Sequence, residues 1–270
     1  MNVAVAPDVR GRAGRVPSLF VNDPLDPLVD LPGVREAADQ ARTALGEVHR
    51  HRSNRRGWPT TAAEAAVRAA RASSALDGGV MELPAPGEAG DPVLSGALRV
   101  GQALEGDALD ATVRTWQRAP LQTLARLHLL AAADLVTDAE QLGRPRPDAG
   151  VGERLDGLAQ LVTGGTSAPA PVVAAVVHGE LLTLAPFGLS DGVVARAASR
   201  LVSVSTGLDP HNLGVPEVSW LRRPQVYRDA AEGFAAGTPE GVGGWVVFCC
   251  GALEAGAREA LSIAEAAAPS

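Results

Sequence analysis

Apolar positions fall into blocks of helical period along most of the chain, and prolines and glycines separate the blocks. Val172 to Leu184 is apolar on nearly every face, with Pro169 and Pro171 before it and Pro186 after it, which predicts a buried central helix. Its valines leave a buried strand open, but a length of about 13 residues exceeds the usual strand of about 4 to 8. A second helix is expected from about Gly192 to Thr206, capped by Ser190 or Asp191 and stopped by Gly207 and Pro210. The middle of the chain therefore reads as helix, tight loop, helix.

Pro32 to Arg50 reads as a helix, and a longer alanine-rich helix ends at Leu76, before Asp77-Gly78-Gly79. Thr60 or Thr61 is the expected cap of that second helix, with Glu64 in capping-box spacing from Thr61. Pro84 to Gly96 is rich in proline and glycine and reads as a loop, with helical pattern resuming over Asp91 to Arg99. It divides an N-terminal arm and helical region, residues 1–83, from a body, residues 84–270. In the body, Leu121 to Asp138 carries Leu124, Leu127, His128 and Leu130 near one stripe, and further helical stretches are expected near Glu153 to Val162, Arg222 to Phe234 and Trp245 to Ala267. Residues 1–30 have no clear period and read as an extended arm packed on the body. The predicted class is all-α.

Composition changes the picture mainly by exclusion. At 270 residues and 46% hydrophobic, the chain can fill a substantial core. A net charge of −7 disfavours nucleic acid and anionic membrane surfaces. No apolar run reaches the length of a membrane span, and the N-terminus lacks the basic-then-apolar pattern of a secretory signal, so cytoplasmic residence is expected. All 24 basic residues are arginine, a bias that weakens any argument resting on arginine alone. Within it, His49-Arg50-His51-Arg52-Ser53-Asn54-Arg55-Arg56 is a dense basic patch, by default a solvated turn, with an anionic partner as the other reading. Cys249 and Cys250 read as small core residues, and the five histidines show no ligand spacing, so no metal site is expected. His178 faces Ala174, Ala175, Leu181 and Leu182 and is expected to be a hydrogen-bonded core residue. Gly241-Val242-Gly243-Gly244 follows no predicted strand, and a lysine-free chain has no P-loop.

The loop between the two central helices, Ala185-Pro186-Phe187-Gly188-Leu189-Ser190-Asp191-Gly192-Val193-Val194-Ala195-Arg196, resembles the signature of the Fic family, His-x-Phe-x-(Asp/Glu)-Gly-Asn-Gly-Arg-x-x-Arg. Typical members move AMP from ATP onto a hydroxyl side chain of a target protein. The resemblance implies a Fic-like helical bundle and covers most of the chain from Pro32, but the loop has lost its chemistry. Ala185 stands where the general-base histidine belongs, and a methyl group takes no proton. Leu189 replaces the magnesium-binding carboxylate and offers no oxygen. Asp191 replaces an asparagine and Val193 the first arginine, while Pro186, Phe187, Gly192 and Arg196 are kept. The N–H groups at the start of the second helix can hold an anion, which makes Ser190, Asp191, Gly192 and Arg196 the candidate anion- or nucleotide-binding residues. Asp191 is expected to satisfy those donors itself.

Two further segments carry the resemblance. Ser73-Ser74-Ala75-Leu76-Asp77-Gly78 is similar to the family's inhibitory motif, (Ser/Thr)-x-x-x-Glu-(Gly/Asn), with aspartate for glutamate. Ser73 and Asp77, four apart, share a helix face, and the resemblance implies that Asp77 pairs with Arg196, directly or through water. A plain helix stop at Asp77-Gly78-Gly79 is the alternative. Gly143-Arg144-Pro145-Arg146 resembles the entry to the β-hairpin flap on which target peptides dock, yet few residues follow before the next helix, so the flap is expected to be shortened or absent.

The implied function is that of a noncatalytic regulator or interaction scaffold without a resident cofactor, bound to a protein partner and open to self-association. Trp58 and Trp220 are candidate surface aromatics for such a partner. The alternative is an AMP-transferring enzyme with a non-standard site, requiring ATP and magnesium and inhibited by its own N-terminal helix. A weaker third reading is binding of an uncharged or cationic small molecule in a pocket made apolar by Ala185, Leu189 and Val193.

Overall fold

The protein was described as a computed structural model covering residues 23–85 and 87–267. Twelve α-helices account for most of the described chain: α1 (Asp26–Val29), α2 (Val34–Arg50), α3 (Asn54–Leu76), α4 (Pro92–Ala103), α5 (Gly106–Trp116), α6 (Pro120–Ala132), α7 (Val151–Gln160), α8 (Ala170–Leu184), α9 (Asp191–Ser205), α10 (Pro216–Arg222), α11 (Pro224–Ala235) and α12 (Pro239–Ala266). A 3-10 turn at Ala139–Gln141 and a π turn at Leu161–Gly165 complete the regular structure, and no strand occurs among the described residues. The valine-rich run over Val172–Leu184 is a helix, as its length predicts, and the stretch between the 3-10 turn and α7 forms no hairpin.

Proline opens many of these helices because its missing N–H is an orphan at that position anyway. The Asp91 side chain caps α4 by accepting from Leu94 N–H (2.8 Å), and Thr238 caps α12 by accepting from Gly241 N–H (3.1 Å). The central helix α8 is buried on both sides. Val173, Ala174, Val177, Leu181 and Leu184 belong to one core, shared with α4, α6, α7 and α9. Val172 and Ala175 belong to a second core, built from α2, α10, α11 and α12. Bundling two apolar layers around one all-apolar helix is what the pattern over Val172–Leu184 requires.

Several expectations need correction. Of the arm expected over residues 1–30, residues 1–22 lie outside the described residues, and Asp26–Val29 is a helical turn rather than extended chain. Neither Thr60 nor Thr61 caps α3, which starts at Asn54 and carries Pro59 within it. Thr61 is buried and donates to Asn54 Oδ1 (2.8 Å), and Asn54 Nδ2 donates to the Val48 carbonyl at the end of α2 (2.8 Å). That tertiary anchor outweighs the local cost of an internal proline. Trp220 is only 2% exposed, and Trp58 is half-buried, stacked on His211 at 4.2 Å. The glycine run 241–244 lies in the first turns of α12, which begins six residues before Trp245. Cys249 and Cys250 are buried and unbridged.

Candidate functional site

The α8–α9 loop holds its shape with three residues in the left-handed region: Ala185 (φ 42°), Gly188 (φ 80°) and Ser190 (φ 54°). Ala185 closes α8 in a conformation that glycine adopts more readily, so the position carries backbone strain. Arg146, from the segment expected to open the flap, offsets this by clamping the helix end. Its Nε donates to the Ala185 carbonyl (2.9 Å), its Nη2 to the Leu184 carbonyl (3.0 Å), and its backbone N–H to the Pro186 carbonyl (2.7 Å). Asp148 pairs with the same guanidinium. Phe187 stacks flat on His128 (centroids 4.3 Å apart), whose Nδ1 accepts from Gly143 N–H (2.9 Å). Burial lowers the His128 pKa and favours this neutral acceptor.

Asp191 turns back into the loop rather than along its helix. Its Oδ1 accepts from Phe187 N–H (2.9 Å). Burial raises its pKa from 3.8 to about 6, against the opposing hydrogen bonds from the Phe187 and Gly188 backbone. The donor at the start of α9 is satisfied from elsewhere: Val193 N–H donates to Asp77 Oδ2 (3.0 Å). Asp77, not Asp191, is the anion seated at this helix N-terminus. Gly192 makes the approach feasible, since a Cβ there would lie 2.3 Å from Asp77 Oδ1.

The other oxygen of Asp77 meets Arg196, which is 2% exposed. Arg196 Nη2 donates to Asp77 Oδ1 (2.6 Å) directly, with no water needed to bridge the shorter aspartate. The same guanidinium donates to Ser73 Oγ (2.8 Å), to the Ser73 carbonyl (3.0 Å) and to Tyr227 Oη (3.4 Å). Ser73 and Asp77 therefore use one face of the last turn of α3, as their spacing predicts. Gly78 follows in the left-handed region (φ 87°) and turns the chain away. Tyr227 Oη in turn meets His178 Nε2 (2.8 Å) inside a cluster with Trp220 and Trp245. Burial, and then the Arg196 charge, hold the His178 pKa well below its usual value, so His178 is a neutral core residue.

One turn further along α9 lies Arg200, which sequence reasoning missed. Its Nε and Nη2 bind both oxygens of Glu217 (2.6 and 2.7 Å), and Nη1 donates to Asn212 Oδ1 (2.7 Å). The i, i+4 spacing of Arg196 and Arg200 was the available signal, hidden by the abundance of arginine. A cavity of about 30 Å³ lies between the two guanidinium groups and the alanine-rich faces of α3 and α4, room for a water or two and not for a nucleotide. Val193 lines it, whereas Leu189 is 46% exposed, so the two do not share one apolar pocket.

The chemistry open to this arrangement is narrow. Ala185 and Leu189 bring no titratable or metal-ligating group to the loop, and four of the five N–H donors of Arg196 are already engaged by Ser73, Asp77 and Tyr227. Among the described residues no group of three His, Cys, Asp or Glu side chains converges as a metal site, and no helix is long and apolar enough to cross a membrane.

No family model matches the sequence, and no curated protein matches it either. The fold does have a counterpart among solved structures. The chain is similar to the crystal structure of a Fic family protein from Desulfovibrio desulfuricans G20, solved at 2.70 Å, with a TM-score of 0.58. The two are 20% identical, over 84% of this chain and 74% of that one. Together with the all-helical bundle and the central helix, loop and helix, that likeness shows that this chain has the Fic fold.

Proposed function

We propose that the protein is a degenerate Fic-fold protein that transfers no AMP and acts as a noncatalytic regulator or protein-interaction scaffold. The observation that carries this reading is the Asp77 carboxylate, seated on the α9 N-terminus and on Arg196 where a phosphate would otherwise bind. A triphosphate entering this loop would meet two carboxylates, Asp77 and Asp191, with Arg196 already engaged by Asp77, Ser73 and Tyr227. Loss of the base at Ala185, of the metal ligand at Leu189 and of the first arginine at Val193 supports the same conclusion, as does the stretch after Gly143-Arg144-Pro145-Arg146, which forms no hairpin on which a peptide could dock.

The test is transfer of label from ATP carrying a labelled α-phosphate, in the presence of magnesium, by the Asp77→Ala variant. The expected result is no label on the protein itself or on an added mixture of acceptor proteins. Label appearing on either would contradict the proposal. One observation favours a second reading, an inhibited transferase: Asp191 is a half-buried carboxylate whose pKa is raised to about 6, where a general base is useful. On that reading Asp77→Ala transfers label and Asp77→Ala/Asp191→Asn does not.

A further inference from the structure

The corner between α2 and α3 is the most basic surface of an acidic protein. Arg50, Arg52, Arg55 and Arg56 occupy four of seven consecutive positions, all exposed, with no acidic residue among them. None forms a salt bridge with a described carboxylate, in contrast to arginines such as Arg68, Arg144, Arg154 and Arg258. Beyond residues 49–56 the chain carries 20 arginines against 31 acidic residues. The corner is thus a local reversal of sign rather than part of a basic face.

Folding does not account for this placement. Arg55 and Arg56 sit in the first turn of α3, where the helix dipole disfavours cations, and no acidic residue offsets them there. The N-cap Ser53 makes no side-chain capping bond, and its Oγ is buried without a partner. Arg55 Nε satisfies the Arg50 carbonyl (3.2 Å), which is the one structural task found for these four side chains. The first N–H groups of α3, on Asn54 and Arg55, already donate to the His51 carbonyl (3.0 and 3.2 Å), so an anion at this corner would meet exposed guanidinium groups rather than helix donors. Beside it, a cleft of about 560 Å³ is lined by Asp39, Arg42, His49 and Arg50 on one side, with Asp39 held in an ion pair by Arg42 (2.7 Å), and by Pro169, Pro171 and Pro210 on the other.

We infer that this corner is a docking surface for an Asp/Glu-rich segment of a partner protein. The charge distribution selects that class of partner. A nucleic-acid backbone extends its charge well beyond one helix corner, and on leaving this one it would run against Glu36 and Glu47 on α2. A short acidic segment instead ends where the basic surface ends, and the proline-lined cleft offers apolar contact for its flanking side chains. The four arginines bind and orient the carboxylates, and loss of interaction strength with salt follows from their exposure. The inference is independent of the α8–α9 loop, since about 34 Å of α3 separates the corner from Asp77.

The test is fluorescence anisotropy of a labelled decaglutamate peptide titrated with the full chain at about 50 and about 300 mM salt. Binding is expected at the lower salt, with an affinity loss of roughly tenfold or more at the higher. Arg52→Glu/Arg56→Glu is expected to lose binding at least about tenfold while its Tm stays level or rises by about 1–3 °C, because it removes cations from the positive end of a helix. A structural role for these arginines would lower Tm instead. Absence of binding, or equal binding by the variant, overturns the inference. Tighter binding of a single-stranded DNA of matched charge replaces the protein partner with nucleic acid. Self-association of the unaltered chain that disappears in the variant replaces it with a second copy.

Discussion

Arg196 and Arg200 lie one turn apart on the same face of α9, both buried and both held by carboxylates, yet they differ in how they are closed off. Arg200 is gripped by both oxygens of Glu217, whose side chain is 3% exposed, and by Asn212, residues only 17 and 12 positions away. Arg196 takes a single oxygen of Asp77, 119 positions away and 19% exposed, and finds its remaining partners in Ser73 and Tyr227. The first pair is sealed within the body. The second is a plug delivered by α3, with its outer edge facing solvent and its second oxygen on a helix N-terminus. On the proposed reading the first pair serves stability and the second an anion seat, and the two can be separated by removing each carboxylate in turn.

Glu217→Ala should have the largest effect. It leaves a buried guanidinium with only its hydrogen bond to Asn212, and about 3–5 kcal/mol of stability should be lost in chemical denaturation. Asp77→Ala should cost less, about 2 kcal/mol, because Arg196 keeps three protein hydrogen bonds and gains access to water or an added anion. A loss from Asp77→Ala equal to that from Glu217→Ala would place both pairs in the same structural class. Gly192→Ala sharpens the point, since its Cβ would displace the Asp77 carboxylate while leaving every charge in place. Its stability loss should match that of Asp77→Ala to within about 1 kcal/mol.

Asp191 allows a test through pH. Its folded-state pKa is raised from 3.8 to about 6, so the fold disfavours the charged form. Stability from this group is lowest above about pH 6 and is regained as pH falls from 6 toward 3.8. Asp191→Asn should therefore stabilise the protein at pH above 7, by about 1–2 kcal/mol once solvent screening of this half-buried group is allowed for. Denaturation at a series of pH values should show the gain shrinking on acidification; a gain constant with pH would rule out the carboxylate as its source. The smallest effect belongs to Ala185→Gly, which relieves a left-handed alanine at the end of α8 and should add about 0.5–1 kcal/mol.

Much of the fold was legible because its signals are local. The proline-bounded apolar run of α8, the helix after it and the four-residue spacing of Ser73 and Asp77 each follow from short-range pattern. The start of α3 was not legible, because it is set by polar side-chain bonds from Asn54 to Thr61 and to the end of α2, which apolar periodicity does not register. Nor was the choice of Asp77 over Asp191 as the anion at α9. Capping preference favours the nearer carboxylate, but Asp191 is drawn into the loop by Phe187 N–H, which leaves the helix donor to a residue 116 positions away. Glu217 and Trp220 were missed for a related reason: α10 is short and proline-bounded, and its burial is set by α3 and α12 packed around it.

The central claim is that Asp77 occupies an anion seat, and calorimetric titration of the unaltered protein and of Asp77→Ala with ATP, with and without magnesium, tests it most directly. The account predicts no binding to the unaltered protein and weak binding to Asp77→Ala that does not depend on magnesium. Magnesium-dependent binding to the unaltered protein, or equal silence from both, would contradict it.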